Sequence, residues 1–277
     1  VTQAIACIGA GSMAEAIIGG LCAGTLNPNI SVTNLSDESK LIHLEETYQV
    51  TTSTDYEETL KNKQVILLAV KPHHLYDAIQ CITPYLQQNQ LVISVVAGVT
   101  LATLERWLPE NTSIIRAMPN TSAKVHASAT ALALGSSATG AQLHIATELF
   151  SSIGSVQIVT DEQMNVTTGI AGSGPAYFYL VAEAMIEAAM EENFPADEAR
   201  SFVTQTMFGA AIRLRQTEKS PKVLYEEIMS PNGTTEAAIH FLKHNGVDRT
   251  FKEAIHKAIH RSRELAQRFA YDPAKKE

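Results

Sequence analysis

Two short glycine-containing turns carry the residues best suited to chemistry in this sequence. At the first, an apolar run at residues 4–8 leads straight into Gly9-Ala10-Gly11-Ser12-Met13-Ala14 and then an apolar helical stretch. A strand-to-helix turn of this kind presents backbone N–H groups and the positive end of a helix, which together hold a phosphate. Gly9 permits the tight turn, Gly11 lets a pyrophosphate approach the backbone, and Ala14 is small enough for close helix–strand packing. Ile8, Ala10, Ser12 and Met13 complete the expected cofactor wall. The second turn is Ser230-Pro231-Asn232-Gly233-Thr234-Thr235, ahead of an apolar stretch with Ala237, Ala238, Ile239 and Leu242. There the N–H groups of Gly233, Thr234 and Thr235 make a second anion site, suited to a carboxylate. A threonine in that place also serves as a plain helix cap.

The ribose end of a dinucleotide should lie at the end of the second strand. Selection of NAD usually puts Asp or Glu there to accept from the 2′-hydroxyl. This chain has Asn34-Leu35-Ser36-Asp37 instead, and Asn34 and Ser36 can donate to a 2′-phosphate. NADP is therefore favoured over NAD, although Asp37 stands close and no arginine is present to clamp the extra phosphate. Lys40 either takes that role or is a surface lysine on the next helix. Two further strand ends, Ala69-Val70-Lys71-Pro72 and Ala97-Gly98, offer small residues and a proline-fixed turn beside a flat ring. Lys71 has two readings, as a cofactor contact or as a cap on the strand end. His73 and His74 lack a third ligand, and the pairs His240/His244 and His256/His260 lack the glutamate of a zinc hydrolase. No metal site is expected.

The elements that must position these residues fall into two halves. Before about residue 162, apolar runs at 4–8, 30–34, 65–70, 91–96, 114–118, 129–134 and 156–159 alternate with amphipathic stretches at 13–23, 39–47, 74–86 and 141–151. Several runs are continuously apolar, as in parallel strands covered on both faces. The expected fold is α/β: a doubly wound, Rossmann-type sheet over 1–162, followed by an all-helical domain over 163–277. In the helical half, 175–192 is apolar almost all round apart from Glu183, Glu187 and Glu191, so it requires burial in a core or a subunit interface. Asp197 reads as the cap of a second long helix, Ser220 and Pro221 as the start of a third, and Thr250 with Glu253 as a capping box opening the last.

The 277 residues carry a formal net charge of −8, which argues against a polyanion-binding face and hence against nucleic acid as a partner. Cys7, Cys22 and Cys81 are too few and too scattered for a disulfide framework. With no leader-like segment and no run long enough to span a bilayer, the chain is expected to be cytoplasmic, with no membrane partner.

Taken with Met118-Pro119-Asn120-Thr121 and Gly172-Ser173-Gly174-Pro175-Ala176-Tyr177, these motifs resemble those of the pyrroline-5-carboxylate reductase family, in order and over nearly the whole chain. The resemblance implies hydride transfer from NAD(P)H to a cyclic imine carbon, yielding L-proline. It implies a homodimer of intertwined helical domains with the substrate pocket at their interface, and assembly up to decamers. Thr235 would offer its hydroxyl to the ring nitrogen as the catalytic group, while Glu218, Asp161 and Asn120 match family positions near the substrate. Ser173 lies in a small-residue segment that either lines the pocket or allows tight helix packing. Three positions depart from the family pattern. Asn232 replaces a glycine, in a turn where a left-handed conformation suits Asn better than most residues. Tyr56 stands where an asparagine often contacts the cofactor, and Leu35 replaces a frequent arginine.

Two rival readings remain at the level of sequence. A β-hydroxyacid dehydrogenase also joins a Rossmann domain to a helical one, but it needs a lysine near 172–177, where none stands. An NADP-sensing protein without turnover would not need the Gly233–Thr235 turn or Glu218.

Overall fold

The computed structural model describes residues 3–24, 28–34 and 37–270. The chain divides into two compact units, residues 1–173 together with 258–277, and residues 174–257. The sequence places the boundary near 162. In the structure the segment after the last strand, and the end of the last helix, belong with the sheet.

Unit one is built on β1 (Ala4–Ile8), β2 (Asn29–Thr33), β3 (Thr51–Ser53), β4 (Val65–Leu68), β5 (Leu91–Ser94), β6 (Ser113–Met118), β7 (Ser128–Leu134) and β8 (Gly154–Ile158). They form one sheet in the order β3-β2-β1-β4-β5-β6-β7-β8. Side chains alternate between its faces. Ile5, Cys7, Val65, Leu67, Leu91 and Ile93 enter one apolar cluster, while Ala6, Ile8, Ile66, Leu68 and Val92 enter the other. Both faces are covered, which is why these strands read as unbroken apolar runs. Helices α1 (Ser12–Ala23), α2 (Glu38–Tyr48) and α6 (Gly140–Ser151) contribute Ile17, Leu41 and Phe150 to the first cluster. Helices α4 (Leu75–Ile82) and α5 (Leu101–Trp107) contribute Ile79 and Leu104 to the second.

Some elements escape the sequence pattern. β3 and α3 (Tyr56–Leu60) are three and five residues long, too short to show a period. Asp55 starts α3 by accepting from Glu57 N, and Thr100 starts α5 by accepting from Thr103 N. The expected helix over 74–86 is shorter: 3₁₀ turns at Pro72–His74 and Thr83–Tyr85 bracket α4, each with a proline in its first turn. β6 and β7 pair antiparallel, the other strands parallel. The link 119–127 holds only a 3₁₀ turn, too short for a crossover helix.

Beyond the sheet come α7 (Met164–Thr167), a π-helical turn at Thr168–Gly172, α8 (Gly174–Glu191), α9 (Ala196–Arg215), α10 (Pro221–Glu226), α11 (Thr234–His244) and α12 (Val247–Ala270). α9 is capped by Pro195 rather than Asp197, which falls in its first turn. Ser220 caps α10 by accepting from Val223 N, with Pro221 following as expected. The capping box at Thr250 does not form. α12 already begins at Val247, and the Thr250 hydroxyl donates back to Gly246 O. Among the described residues no helix is long and apolar enough to cross a membrane.

Candidate active site

The chain runs outward from β1 to β2 and β3, then returns to β4 on the other side of β1. Such a reversal opens a crevice at the carboxyl ends of the strands, and the first glycine turn stands in it. Gly9 has φ +110°, and its N–H donates to Thr33 O at 2.8 Å. A Cβ there would lie 2.7 Å from Ala69 O, so only glycine lets the tips of β1 and β4 approach. Gly11 is different. A Cβ built on it meets nothing within 4 Å, so the fold itself makes no demand for glycine. Gly11 caps α1 without any side-chain hydrogen bond, and Ala14 behind it is fully buried. The first N–H groups of α1 thus face a cleft of about 320 Å³ lined by residues 9–13, Asn34, Lys40, Ala69, Val70, Lys71 and His74. A glycine with no packing reason, at a helix start without a side-chain cap, fits an anion that must touch the backbone.

A second cleft of about 260 Å³ shares Gly9, Asn34, Val70 and His74 with the first. It continues past Ile8, Thr33, Tyr56, Asp77, Ala78 and Cys81. Thr33 is buried and its hydroxyl has no partner among the described residues. An orphaned buried hydroxyl is costly unless a ligand or water satisfies it. Together the clefts fit a dinucleotide, with diphosphate over α1 and one nucleoside behind β2. Thr33, Asp77, Ala78 and Cys81 are not apparent in the sequence as wall residues, because helical spacing and a strand tip bring them together. Thr33, at the carboxyl end of β2, was the available signal.

At the ribose end, Ser36 lies outside the described residues. Asn34 Nδ2 donates to Asp37 O. The Asp37 carboxylate accepts from Ser39 Oγ at 2.5 Å and pairs with Lys40 at 3.1 Å. Those partners, Ser39 foremost, hold its pKa below the usual carboxylate range. Lys71 is exposed, lining the first cleft and standing just before the Pro72 turn. Ala97 and Gly98 are not among the residues lining either cleft. Gly98 has a packing reason of its own, since at φ +79° a Cβ would stand 3.1 Å from Leu265 of α12.

Three expected substrate residues are held by the fold. Asp161 Oδ1 accepts from Arg116 Nη1 at 2.7 Å and Oδ2 accepts from Leu101 N at 3.0 Å, so both oxygens are engaged. Arg116 is 1% exposed, and a buried guanidinium requires a carboxylate beside it. Asn120 caps the 3₁₀ turn Thr121–Val125 by accepting from Ser122 N, and its amide donates to Ala171 O. Ser173 ends the π-helical turn, half-buried, its N–H donating to Thr168 O at 2.9 Å. In this small-residue segment a Cβ on Gly172 would stand 3.2 Å from the end of the Met118 side chain, and one on Gly174 would meet nothing within 4 Å.

In the second unit, Gly233 caps α11 without a side-chain hydrogen bond. Its N–H donates to Ser230 O at 2.8 Å, and a Cβ would stand 2.9 Å from the same backbone oxygen, so the turn favours glycine here. Asn232 has φ +60°, the left-handed conformation expected of it. Its N–H donates to Glu236 Oε2 at 2.8 Å, which closes the turn from behind. Thr234 and Thr235 are the first two residues of α11, Thr235 half-buried. Glu218 is exposed in the loop between α9 and α10. Its neighbour Lys219 and Arg213 both pair with Glu227, whose pKa they lower, Lys219 foremost.

Among the described residues no three His, Cys, Asp or Glu side chains converge as a metal site. His240, His244, His256 and His260 are exposed. Cys7 is fully buried, its thiol pushed up to about 12 by desolvation, and Cys22 is half-buried. Cys81 is exposed.

A sheet with an open glycine cradle at its reversal point, followed by a helical unit with a second open helix start, defines a dinucleotide-dependent oxidoreductase. Comparison with known proteins narrows the class. Residues 161–265 match the family model for pyrroline-5-carboxylate reductase dimerisation, and residues 4–98 match that for NADP oxidoreductase, coenzyme F420-dependent. The chain is 39% identical over 265 residues to pyrroline-5-carboxylate reductase 2 of Bacillus subtilis, covering 95% of each protein. It is 37% identical over 260 residues to the Glycine max pyrroline-5-carboxylate reductase, covering 94% of each. The solved pyrroline-5-carboxylate reductase of Coxiella burnetii superposes with a TM-score of 0.88 at 36% identity, over 96% of this chain and 99% of that one. This chain belongs to the pyrroline-5-carboxylate reductase family.

Proposed function

We propose that this protein reduces 1-pyrroline-5-carboxylate to L-proline with NADPH as its preferred reductant, the last step of proline formation. The reading rests above all on two helix starts without side-chain caps, each led by glycine, in a chain of this family. The Gly9–Met13 turn holds the diphosphate, with Ile8, Ala69, Val70, Lys71 and Pro72 around it and Ala97 and Gly98 toward the nicotinamide. Lys40 and Lys71 add positive charge to that cleft. Asp37 is already engaged by Ser39 and Lys40, which leaves Asn34 and Ser36 to meet a 2′-phosphate. When bound, the nicotinamide supplies the hydride.

Substrate binding falls to the α11 start. The N–H groups of Gly233, Thr234 and Thr235 hold the substrate carboxylate, as a helix N-terminus favours an anion. The Thr235 hydroxyl orients the ring nitrogen, with Glu218 and Ser173 as neighbours of the substrate. A protonated imine is already electrophilic, so positioning supplies much of the acceleration. Functionally, residues 1–162 serve the nucleotide and 163–277 serve the substrate and pairing, as an intertwined homodimer that assembles toward a decamer in the cytoplasm.

The deciding assay follows nicotinamide oxidation with pyrroline-5-carboxylate, in parallel with NADPH and NADH and with ketone acids. Imine turnover with NADPH ahead of NADH is expected. Nucleotide binding without imine turnover would leave a sensor; turnover of ketone acids alone would leave a hydroxyacid dehydrogenase.

A further inference from the structure

The second cleft, behind β2, has walls of two kinds. Ile8, Val70, Ala78 and the ring of half-buried Tyr56 offer flat apolar surface, as a purine base requires. Polar groups are few: the orphaned Thr33 hydroxyl, the Tyr56 hydroxyl, His74, Asn34, Cys81 and the Asp77 carboxylate. One N–H of the Asn34 amide goes to Asp37 O, which leaves the other for the 2′-phosphate, and the His74 ring lies against that of His73 at 4.1 Å. Asp77 is exposed in the first turn of α4, the one carboxylate among the residues lining this cleft.

We propose that Asp77 reads the base of the dinucleotide, accepting a hydrogen bond from the exocyclic 6-amino group of adenine, while the Thr33 hydroxyl satisfies the sugar or base edge beside it. This inference rests on the assignment of the clefts to a dinucleotide and adds which base the protein selects and by which residue. A carboxylate only accepts. Adenine presents an amino donor at position 6, whereas hypoxanthine presents a carbonyl oxygen, which would face Asp77 as acceptor against anion. Hydrogen bonds to a charged group are the stronger kind, and their loss leaves the carboxylate opposed to a like dipole. Discrimination of about tenfold or more in favour of adenine follows. Asp77 also stands where a carboxylate suits a helix start, a role that base identity would not touch.

The test is direct binding to the full-length protein, by quenching of Trp107 or by calorimetry, of NADPH and of its deaminated analogue with hypoxanthine. Wild type should bind NADPH at least about tenfold more tightly. Asp77→Asn, whose amide can donate to the carbonyl, should narrow the gap to within about threefold or invert it. Equal affinity of wild type for both dinucleotides would overturn the proposal while leaving the cleft assignment intact. Discrimination unchanged in Asp77→Asn would remove Asp77 as its source. Failure of wild type to bind either one would overturn the cleft assignment and this inference together.

Discussion

Gly9 and Gly11 stand two residues apart in one turn and are glycine for different reasons. Alanine at 9 would drive a methyl group into Ala69 O and hold φ +110° against its preference. Gly9→Ala should cost roughly 2 kcal/mol or more of stability, from strain and displaced backbone, and lose NADPH binding with it. Alanine at 11 meets open space. Gly11→Ala should keep the urea midpoint and weaken NADPH at least about tenfold, because the methyl group occupies the anion's place. Unchanged affinity in Gly11→Ala would remove the diphosphate from this turn. Thr235→Ala should retain NADPH affinity and lower turnover at least about tenfold, the scale for one positioning or proton-handling contact. Wild-type turnover in that variant would take the role from Thr235. The cradle glycines are legible in the sequence because a strand and a helix flank them. The distinction between them is not, since it depends on where β4 ends.

At the scale of elements, the Arg116–Asp161 pair ties Asp161 into the fold. It ties the segment after β8 to β6 and to the start of α5, two neighbouring elements far from it in sequence. Asp161→Ala would leave Arg116 charged and alone in an apolar interior, at a cost of about 3 kcal/mol. Chemical denaturation should register that loss, while KM for the imine in the remaining folded protein stays near wild type. A large rise in KM with unchanged stability would return Asp161 to the substrate. The sequence places Asp161 correctly after the last strand, but a buried arginine cannot be told from a surface one by its neighbours in β6. Capping shows a similar limit. Ser220 with Pro221 reads correctly because the proline fixes the helix start. Thr250 with Glu253 misleads, because Gly246 had already released α12 three residues earlier.

Considered whole, the molecule keeps its apolar surface unevenly. Unit one buries two clusters, one on each face of its sheet. In residues 174–257 only Gly174, Ala199 and Val203 are buried, while Phe178, Leu180 and Phe202 are 61%, 64% and 68% exposed. So much exposed apolar area marks an interaction surface, and it coincides with the family's dimerisation segment. Leu180→Asp should shift the protein to monomer in sedimentation at micromolar concentration and lower its thermal midpoint. An intact oligomer would move the pairing face off this side of α8.

By itself the sequence determined the pattern of the sheet, the open glycine turn, the turn before α11 and the need to cover α8, because each is written in residues close together in the chain. Tertiary structure alone decided the antiparallel β6–β7 pair, the engagement of Asp161 and Asn120 by the fold, and the wall that Thr33, Tyr56 and Asp77 make behind β2. Those depend on which distant segments meet, and packing settles that only when the whole chain has folded.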